Sequence, residues 1–407
     1  MKLLILTQYF PPETGAPQNR LFELAIRLQK QGIDITVLTA MPNYPQMEIY
    51  EAYAGKSYVY ENMEGLKVHR RSIYVSKSKA IIPRLRNYFS FVLSAITGAG
   101  KLEKQYDYIL CESPPLFLGY AALYLKRVKK ASLIFNVSDL WPESAEKLGV
   151  VNNKYLLALA YRLEKRLYRA SVLVSGQTQG ICKNIRERFP SIPTYWLPNG
   201  VDLHYYNPKR YPGNDWRQKN GFGQNDFILF YGGIIGIAQG LEVILRAAEK
   251  LKSQTHIKFV LQGNGPEKPR LIAMCQSLDL SNVLFLDSVS KSHMPDVLRS
   301  VNASVIPLRK LELFMGAIPS KIFESAAMQL PLILAVDGEA RQLFINEGKA
   351  GLFVEPESVA SLTAAVTQLA ENAELCKQLG QNGRQYVEQY FNREKIAEGF
   401  IQQLKSL

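Results

Sequence analysis

Cysteine and histidine are scarce in this sequence of 407 residues, which contains four of each. The cysteines are far apart and form no C-x-x-C or cysteine–histidine pattern; they are Cys111, Cys182, Cys275 and Cys376. This spacing excludes the usual zinc-ligand signatures and predicts buried thiols in a reducing compartment. The triplet Asp-x-Asp, in which paired carboxylates often hold a divalent cation, is also missing, so no metal site is predicted.

Long hydrophobic runs are absent as well. The most apolar helix-like stretch, Tyr88–Ala99, has only 12 residues and is too short to span a bilayer. Lys2 is followed directly by a strand-like run, and not by the apolar core of a signal peptide. The sequence therefore predicts a cytoplasmic protein with no membrane span.

The dinucleotide fingerprint G-x-G-x-x-G does not occur. The second predicted strand ends in Leu38-Thr39-Ala40, without the acidic residue that would hold a ribose, which argues against nicotinamide or flavin binding. None of the usual nucleic-acid-binding motifs is present either. Gly15 and Ala16, before the first predicted helix, would let backbone N–H groups approach a pyrophosphate, although an ordinary proline-rich loop explains this segment equally well.

Positive charge is concentrated in the first half of the chain. Residues 1–200 carry 27 Lys and Arg against 15 Asp and Glu, whereas residues 201–407 carry 22 against 21. The net charges are therefore +12 and +1. This asymmetry predicts that the first half faces an anionic partner, such as a membrane surface, a phosphorylated acceptor or nucleic acid.

Basic residues also flank the apolar helix predicted at Asn87–Ala99. They are Arg70, Arg71, Lys77, Lys79, Arg84 and Arg86. Basic residues beside an apolar helix are typical of an element that lies on an anionic membrane surface. A core helix that follows a solvated basic loop is the alternative.

Strand-like and helical patterns alternate along the whole chain, which predicts parallel sheets covered by helices on both faces. The strand-like runs are Leu3–Leu6, Ile35–Leu38, Tyr108–Leu110, Leu133–Val137, Ser171–Val174, Phe227–Tyr231, Ile257–Leu261, Val283–Leu286, Ala303–Ile306 and Leu332–Val336. They are too many for one sheet of usual size. We expect two Rossmann-like domains with a cleft between them, joined at Leu197–Asp202.

The sequence I-P-S-K-I-F-E at 318–324 predicts a helix that begins at a ligand site. Ser320 stands at the expected N-cap, Lys321 adds a cation in the first turn, and Glu324 follows about one turn later. Free N–H groups and Lys321 suit a phosphate, and the two oxygens of Glu324 suit a ribose diol. A capped helix with a Lys321–Glu324 surface pair is the alternative.

Glycine-rich turns follow two successive predicted strands in the second half. The first contains Gly233 and Gly236, and the second contains Gly263. Such turns allow a ligand to approach the backbone closely. Together with the 318–324 element they favour a nucleotide.

Asp139, Trp141 and Glu143 follow a predicted buried strand in the first half. Carboxylates that accept hydroxyl hydrogen bonds and an aromatic ring that stacks are typical of a sugar site. The alternative is that Asp139 caps the next helix.

Six motifs spread over the chain resemble those of retaining glycosyltransferases of family 4, which have the GT-B fold. They are P-P-E-T-G-A at 11–16, D-L-W-P-E-S at 139–144, L-P-N-G-V-D at 197–202, G-I-I-G-I-A-Q-G at 233–240, G-N-G-P at 263–266 and P-S-K-I-F-E at 319–324. The resemblance is closest to bacterial N-acetylfucosaminyl- and fucosyl-type transferases of O-antigen and capsule assembly. It implies α/β architecture, with two Rossmann-like, doubly wound parallel-sheet domains facing a cleft.

The same resemblance implies an acceptor-binding domain at 1–200 and a nucleotide-sugar-binding domain at 201–385. A C-terminal helix within 386–407 is expected to pack back towards the first domain. Glu324 matches the second glutamate of the family's E-x₇-E motif, which holds the ribose. The first glutamate falls at Gly316, so we expect the backbone N–H groups of Ala317 and Ile318 to replace part of its sugar contact.

Two phosphate-binding cations of the family are also replaced here. The Arg and Lys of its G-R-x₄-K-G element fall at Ile234 and Gln239, which leaves Lys321 as the expected substitute. The family's cleft histidine falls at Ser138, so that Asp139 is the nearest ionisable group.

The predicted site residues fall into three groups. The catalytic residues are Asp139 and Glu324; the donor-binding residues are Gly15, Ala16, Gly233, Gly236, Gln239, Gly263, Ala317, Ile318, Ser320, Lys321 and Glu324; the acceptor-side residues are Glu13, Trp141 and Glu143. No metal ligand is predicted.

These features imply a hexosyltransferase-type glycosyltransferase on the inner face of the cytoplasmic membrane. It would move a sugar, with retention, from a nucleotide diphosphate donor, expected to be a UDP-sugar, to a lipid-linked saccharide. The product would enter lipopolysaccharide or exopolysaccharide biosynthesis. No metal, other cofactor or nucleic acid is expected. A UDP-sugar epimerase or hydrolase, or a non-catalytic nucleotide-sugar-binding protein on the same fold, is the alternative.

Overall fold

The computed structural model of the protein describes residues 1–13, 15–78, 80–147, 149, 151, 153–211 and 215–407. The chain divides into two compact units. Unit 1 comprises Met1–Asn199 and Arg393–Leu407, and unit 2 comprises Gly200–Asn392. The sequence places the second boundary after residue 385, but the structure has it after Asn392, because the helix Ala373–Tyr390 lies wholly in unit 2.

Each unit contains one sheet, in which the spatial order of the strands differs from their order along the chain. Unit 1 has β1 (Lys2–Leu6), β2 (Asp34–Ala40), β3 (Tyr58–Met63), β4 (Leu66–Arg71), β5 (Tyr108–Ser113), β6 (Ser132–Val137), β7 (Ser171–Gly176) and β8 (Thr194–Trp196), in the order β3-β4-β2-β1-β5-β6-β7-β8. Unit 2 has β9 (Phe227–Gly232), β10 (Ile257–Gln262), β11 (Val283–Leu286), β12 (Ala303–Pro307), β13 (Leu332–Ala335) and β14 (Gly351–Phe353), in the order β11-β10-β9-β12-β13-β14.

The helices cover both faces of these sheets. They are α1 (Ala16–Lys30), α2 (Ile81–Thr97), α3 (Gly119–Val128), α4 (Glu143–Lys147), α5 (Lys154–Ala170), α6 (Gln179–Arg188), α7 (Trp216–Lys219), α8 (Glu242–Lys250), α9 (Lys268–Ser277), α10 (Met294–Ser300), α11 (Lys321–Ala327), α12 (Glu339–Arg341), α13 (Val359–Glu371), α14 (Ala373–Tyr390) and α15 (Arg393–Lys405). A π-helical turn, Gln342–Glu347, continues α12.

The strand β1 shows why continuous apolar runs form these sheets. Successive side chains of a strand point to opposite faces, so a strand covered on both faces must be apolar throughout. Leu4 and Leu6 belong to a core cluster with residues of α2, α3 and α5. Leu3 and Ile5 belong to the opposite cluster, with residues of α1 and α15.

The C-terminal helix α15 is part of unit 1. Four buried residues at i, i+3, i+4 and i+7 form its apolar stripe and join the cluster beneath α1: Ala397, Phe400, Ile401 and Leu404. Arg27 of α1 adds an ion pair from its Nε to Glu394 at 2.8 Å. Burial of this stripe therefore returns the end of the chain to the first unit.

Nine of the ten predicted strand-like runs lie wholly in strands, and the tenth, Leu332–Val336, extends one residue beyond β13. The strands β3, β4, β8 and β14 were not predicted. The strands β3 and β4 form the one antiparallel pair among the described strand pairs. Their loop is Glu64-Gly65, with φ values of 50° and 92°, which is typical of a two-residue hairpin turn. A search for continuous apolar runs misses β3, because none of its residues is fully buried.

In both sheets the chain order reverses beside one central strand. This point lies between β1 and β5 in unit 1, and between β9 and β12 in unit 2. The crevice outside the carboxyl ends of parallel strands at such a switch point is the usual ligand site of doubly wound folds. The carboxyl edge of each sheet is therefore where functional residues are sought.

Candidate functional site

Two glycine-rich loops meet at the carboxyl edge of the unit 2 sheet, after β9 and β10. Gly233 and Gly263 have φ values of +141° and +152°, which disfavour any side chain. A Cβ on Gly263 would lie 1.8 Å from the carbonyl oxygen of Gly233. The Gly233 N–H donates to the Gln262 carbonyl oxygen at 2.9 Å. The two predicted glycines thus come together and form a cradle that only glycine can build.

The ammonium group of Lys321 lies against this cradle. Its Nζ is 2.7 Å from the position that a Cβ on Gly233 would occupy, and 4.0 Å from the centroid of the Tyr231 ring. The hydroxyl of Tyr231 donates to the Ile234 carbonyl oxygen at 2.5 Å, which fixes the ring. In the described part of the chain Lys321 makes no side-chain hydrogen bond or ion pair, so the predicted alternative of a surface pair with Glu324 is not formed.

Burial lowers the pKa of Lys321 to about 8, while the negative charge of Glu324 opposes this shift. A cation that is desolvated and not paired is destabilised, and an anionic ligand would relieve that cost. The arrangement of Lys321 above two open backbone loops therefore suits a phosphate group.

Ser320 occupies the N-cap position of α11 but does not cap it. Its dihedral angles are helical, with φ −58° and ψ −29°, and its side chain makes no cap hydrogen bond. A capping side chain needs extended dihedrals to reach the N–H groups of the first turn. The predicted capping role of Ser320 is therefore wrong. Ile322 and Phe323 instead anchor the helix, since both are buried.

The backbone before α11 differs in part from the prediction. The N–H of Ala317 donates to the carbonyl oxygen of Phe314 at 3.0 Å, within the turn Glu312–Gly316, and is not available to a sugar. Among the described residues the N–H of Ile318 has no such partner. Gly316 is exposed, and a Cβ added to it would meet no heavy atom within 4 Å.

Glu324 lies in the first turn of α11, one turn beyond Lys321. Its charge acts on two neighbouring groups. It raises the pKa of Lys321 against the effect of burial, and it adds to the effect of burial in raising the pKa of Tyr205. Glu324 is only partly buried. The predicted cation and carboxylate are thus neighbours on α11.

Gly236 and Gln239 lie in a different part of the same loop. A Cβ on Gly236 would be 2.9 Å from Oε1 of Gln239, so these two residues pack on each other. Gly236 lines a cavity of about 420 Å³ with arginines that already have glutamate partners: Arg246, Arg270 and Arg309. Among the described residues that line this cavity, no cation without an acidic partner would give it the phosphate-binding character of the Lys321 cradle.

A buried charged network closes the carboxyl edge of the unit 1 sheet, and the sequence did not reveal it. Nη2 of Arg20 donates to Oε1 of Glu112 at 2.6 Å and to Oγ of Ser138 at 2.8 Å. The Ser138 hydroxyl also donates to Glu112. Asn136 donates to the other oxygen of Glu112 at 2.6 Å and accepts from Ser175 at 2.7 Å.

This network joins the ends of β5, β6 and β7 to α1. Nη1 of Arg20 is buried and has no hydrogen-bond partner in the described part of the chain. The available signal was Glu112, a carboxylate near the carboxyl end of the buried strand β5. Its partner Arg20 lies 92 residues earlier, and nothing in the local pattern connects the two.

The predicted sugar-site residues after β6 do not form one cluster. Asp139 is exposed and accepts a hydrogen bond from Oγ of Ser144 at 2.5 Å. Glu143 pairs with Lys147 at 2.9 Å. Trp141 packs edge-to-face on Phe117, with ring centroids 5.9 Å apart. It therefore belongs to an aromatic cluster, whereas the sequence predicted that its ring would stack on a sugar.

Glu13 is buried and holds two loops together. Its carboxylate accepts hydrogen bonds from the N–H groups of Phe10, Asn43 and Tyr44, at 3.2, 2.8 and 2.9 Å. Burial raises the pKa of Glu13, and these three bonds oppose the shift. With only 2 % of its surface exposed, Glu13 supports the site structurally and does not present an acceptor-binding carboxylate.

Gly15 is the N-cap residue of α1 and Ala16 is the first residue of that helix. Gly15 has extended dihedrals, with φ 175°, and a Cβ there would meet the flexible end of Gln18. Both residues therefore stand at a helix start, as the sequence predicts, and their role in donor binding stays a prediction.

Two further features follow from the described residues as a set. Among them no group of three or more His, Cys, Asp or Glu side chains is placed to hold a metal ion. In the same part of the chain no helix is both long and apolar enough to cross a bilayer.

Comparison with known families gives matches to both units. Residues 18–205 match Glycosyltransferase Family 4, and residues 213–386 match Glycosyl transferases group 1. The chain is 25 % identical over 414 aligned positions to WcaI of Escherichia coli K12, a protein named for colanic acid biosynthesis glycosyl transfer, with 100 % of both chains covered.

Solved structures share the fold at low identity. The sucrose-phosphate synthase from Thermosynechococcus elongatus superposes with a TM-score of 0.75 at 18 % identity, covering 100 % of this chain and 98 % of that one. HepE from Anabaena, solved with UDP and glucose, gives a TM-score of 0.73 at 16 % identity, covering 100 % of both chains. The predicted fold class is confirmed. Together these matches show that the chain belongs to the family 4 glycosyltransferases of the GT-B fold, and that it is a hexosyltransferase-type enzyme.

Proposed function

We propose that the enzyme transfers a sugar, with retention, from a nucleoside diphosphate donor, UDP being the expected nucleotide, to a lipid-linked saccharide. The observation that carries this proposal is the unpaired ammonium of Lys321 above the glycine cradle. It lies at the carboxyl edge of the unit 2 sheet, at a switch point where doubly wound folds bind ligands.

Lys321 would neutralise the diphosphate. The charge on the leaving diphosphate grows as the bond to the sugar breaks, so a cation fixed in a partly desolvated site stabilises the transition state more than the ground state. Because Lys321 has no competing partner in the described part of the chain, the donor would not have to break an ion pair to bind. We propose that this cation and the backbone cradle make a bound metal ion unnecessary.

Glu324 would hold the ribose. A carboxylate has two acceptor oxygens, enough for both hydroxyl groups of a diol, and Glu324 lies one helical turn beyond the phosphate cation. In this arrangement the departing diphosphate assists attack from the same face of the sugar, which gives retention. Asp139, exposed at the carboxyl edge of unit 1, remains the proposed ionisable group on the acceptor side.

The pathway proposal draws on the relatives. WcaI is named for the biosynthesis of colanic acid, and the complexes of HepE contain UDP and glucose. By analogy we propose that the product of this enzyme enters exopolysaccharide or lipopolysaccharide assembly. The fucosyl-type sugar expected from the motifs stays part of this proposal.

We propose that the enzyme works at the inner face of the cytoplasmic membrane. The excess of basic residues in the first half supports this, as does exposed Arg84, which forms no ion pair among the described residues. Arg86 instead lies over the Tyr74 ring, at 4.3 Å, and Lys77 forms an exposed pair with Glu48. Lys79 lies outside the described residues. Each basic residue near an anionic surface contributes about 1 kcal/mol.

The decisive experiment compares UDP with uridine on Lys321 variants by calorimetry. Lys321→Ala should weaken UDP by about 10- to 150-fold, because charged hydrogen bonds are worth roughly 1.5–3 kcal/mol, while uridine should change by less than about twofold. Lys321→Arg, which keeps the charge, should retain most of the UDP affinity. Equal losses for UDP and uridine in Lys321→Ala would refute the phosphate role.

A turnover assay separates the transferase from the epimerase or hydrolase. Consumption of a UDP-sugar that depends on added acceptor supports transfer. Consumption at the same rate without acceptor would assign the site to an epimerase or hydrolase.

A further inference from the structure

An apolar groove lies in unit 1, on the side of the sheet covered by α2, α3 and α5. It encloses about 170 Å³. Its walls come from α2 and α5, with Tyr88 and Phe89 on one side and Leu156 and Leu159 on the other. Phe117 and Trp141 also line it. No carboxylate is among its lining residues in the described part of the chain, so it would accept an uncharged hydrocarbon.

Aromatic rings give the groove a rigid wall. Phe117 lies 5.0 Å from Phe89 and 5.9 Å from Trp141, measured between ring centroids, and Phe89 lies 6.3 Å from Tyr120. Rings that pack on one another lose little further freedom when a chain slides between them. The groove is thus preformed by the fold.

Exposed apolar side chains continue the groove onto the surface. Phe89, Leu156 and Leu159 line it and remain 38 %, 38 % and 55 % exposed. Further exposed apolar residues lie on the same three helices but outside the groove: Ile82, Leu93, Tyr124, Val128 and Tyr155. An exposed apolar groove of this kind marks an interaction site.

Charge indicates the headgroup of the occupant. Arg84 lines the groove, is exposed, and makes no ion pair among the described residues. Lys154 does not line the groove, but it is exposed and lies two residues before the lining residue Leu156 on α5. A ligand with a hydrocarbon chain and a phosphate head matches both the apolar walls and the cationic rim.

The groove includes a residue of the segment that carries the proposed acceptor-side group Asp139. Trp141, which lines it, is two residues from Asp139 at the carboxyl edge of the sheet. A chain held against Trp141 would place its head near that edge. The sequence assigned Trp141 to sugar stacking, whereas its packing on Phe117 assigns it to the wall of the groove.

We propose that this groove binds the hydrocarbon chain of the phosphate-bearing acceptor lipid, with Arg84 at the head end. The inference rests on the proposed transfer to a lipid-linked saccharide and deepens it. It differs from adsorption on a bilayer, because one chain would enter the protein between α2 and α5 even when no membrane is present.

The probe is farnesyl phosphate, used below its micelle-forming concentration and without vesicles. Trp141 is a reporter within the groove, so binding should change the tryptophan fluorescence of the wild type. The change should disappear in Trp141→Phe, although calorimetry on that variant should still detect binding. Inorganic phosphate alone should produce no such change. If farnesyl phosphate does not bind the wild type, the proposal is overturned.

A matched pair of variants on α5 locates the chain. Leu159→Glu places a charge in the groove, and Tyr155→Glu places the same charge on the same helix outside it, at a residue that is 84 % exposed. Leu159→Glu should weaken farnesyl phosphate at least tenfold, while Tyr155→Glu should change it less than twofold. Equal effects would indicate a general apolar surface and would overturn the groove as the binding site.

Two further measurements separate this inference from the proposed function. UDP binding, measured on both variants, should equal that of the wild type and shows that they are folded. If Lys321→Ala weakens UDP binding but Leu159→Glu leaves the affinity for farnesyl phosphate unchanged, only the groove proposal fails. If farnesyl phosphate binds as expected but Lys321→Ala leaves the affinity for UDP unchanged, only the donor-site proposal fails. If anionic vesicles bind while soluble farnesyl phosphate does not, the basic and apolar surface serves the bilayer and the groove proposal is overturned.

Discussion

The charged side chains at the carboxyl edges of the two sheets differ in whether they have a partner. In unit 1, Arg20 and Glu112 are both buried and bonded to each other and to Ser138. In unit 2, Lys321 is partly buried, and among the described residues its ammonium lies against the Tyr231 ring and the Gly233 backbone without an ion pair. A buried pair with several hydrogen bonds to its neighbours makes a rigid support, whereas a partly desolvated cation without an anionic partner carries a cost that an anion can remove. The comparison therefore assigns a structural role to the charged pair of unit 1 and a ligand-binding role to the cation of unit 2.

Breaking the unit 1 pair should have the largest effect on stability. Arg20→Met leaves Glu112 buried without its cation, which should cost about 3–5 kcal/mol in the free energy of unfolding. The double variant Arg20→Met/Glu112→Leu should recover most of that loss. Arg246→Met, which breaks an exposed pair with Glu242, is the matched control and should change stability by less than about 1 kcal/mol. Similar losses for Arg20→Met and Arg246→Met in denaturant unfolding would contradict this contrast.

Removal of the unit 2 carboxylate should impair donor use next most strongly. Glu324→Ala loses charged hydrogen bonds to the ribose worth on the order of 2–4 kcal/mol, which predicts a fall of roughly 30- to 1000-fold in kcat/KM. Its stability should change little, since Glu324 is only partly buried. An unchanged kcat/KM in a correctly folded variant would remove Glu324 from the site.

The glycine cradle can be tested with two alanine substitutions. Gly263→Ala forces a Cβ to within 1.8 Å of the Gly233 carbonyl oxygen at a φ of +152°, and should cost about 2–3 kcal/mol of stability while weakening UDP. Gly316→Ala, where a Cβ meets nothing within 4 Å, is the control and should leave both properties near wild type. Thermal unfolding and calorimetry measure the two effects. If Gly263→Ala unfolded at the same temperature as the wild type, the two loops would be able to move apart without loss of stability, which would contradict the prediction.

The titration of Lys321 gives the smallest and most specific test. Its pKa is lowered from 10.5 to about 8 by burial. Between these values the folded state binds fewer protons than the unfolded state, so the destabilisation by Lys321 is fully present below pH 8 and is relieved as the pH rises towards 10.5. UDP needs the charged form, and its phosphate is fully ionised well below pH 8.

The Kd for UDP should therefore rise by up to about tenfold for each pH unit above 8. Lys321→Arg keeps its charge throughout and should lose this dependence. Calorimetry between pH 7 and 10 measures both. A flat wild-type profile would show that the ammonium does not meet the phosphate.

Local sequence patterns were sufficient for most elements but not for every side-chain role. The apolar runs are strands because both faces of each sheet are covered, and the C-terminal helix predicted within 386–407 is α15, Arg393–Lys405. The predicted helix at Asn87–Ala99 lies within and just beyond α2, Ile81–Thr97: Phe91 packs into the core, while Leu93 is 63 % exposed, and the membrane-surface role of this helix stays a prediction. Ser320 shows where local patterns fail. Its residue type is suited to capping, but the local sequence does not reveal the helical dihedral angles that prevent it from capping α11.

The sequence by itself determined the alternation of strands and helices, the positions of the glycine-rich turns, and the order Lys321 then Glu324 on one helix. These are local properties, set by the spacing of apolar residues and by the few residue types that a turn or helix start accepts. Only the tertiary structure decided which distant groups meet. It brought Arg20 to Glu112 across 92 residues, and Lys321 of α11 to Tyr231 of β9. It also turned Trp141 onto Phe117. The physical reason is that parallel sheets join the carboxyl ends of strands that lie far apart in the chain, so the chemistry of such an edge belongs to the topology and not to any one segment.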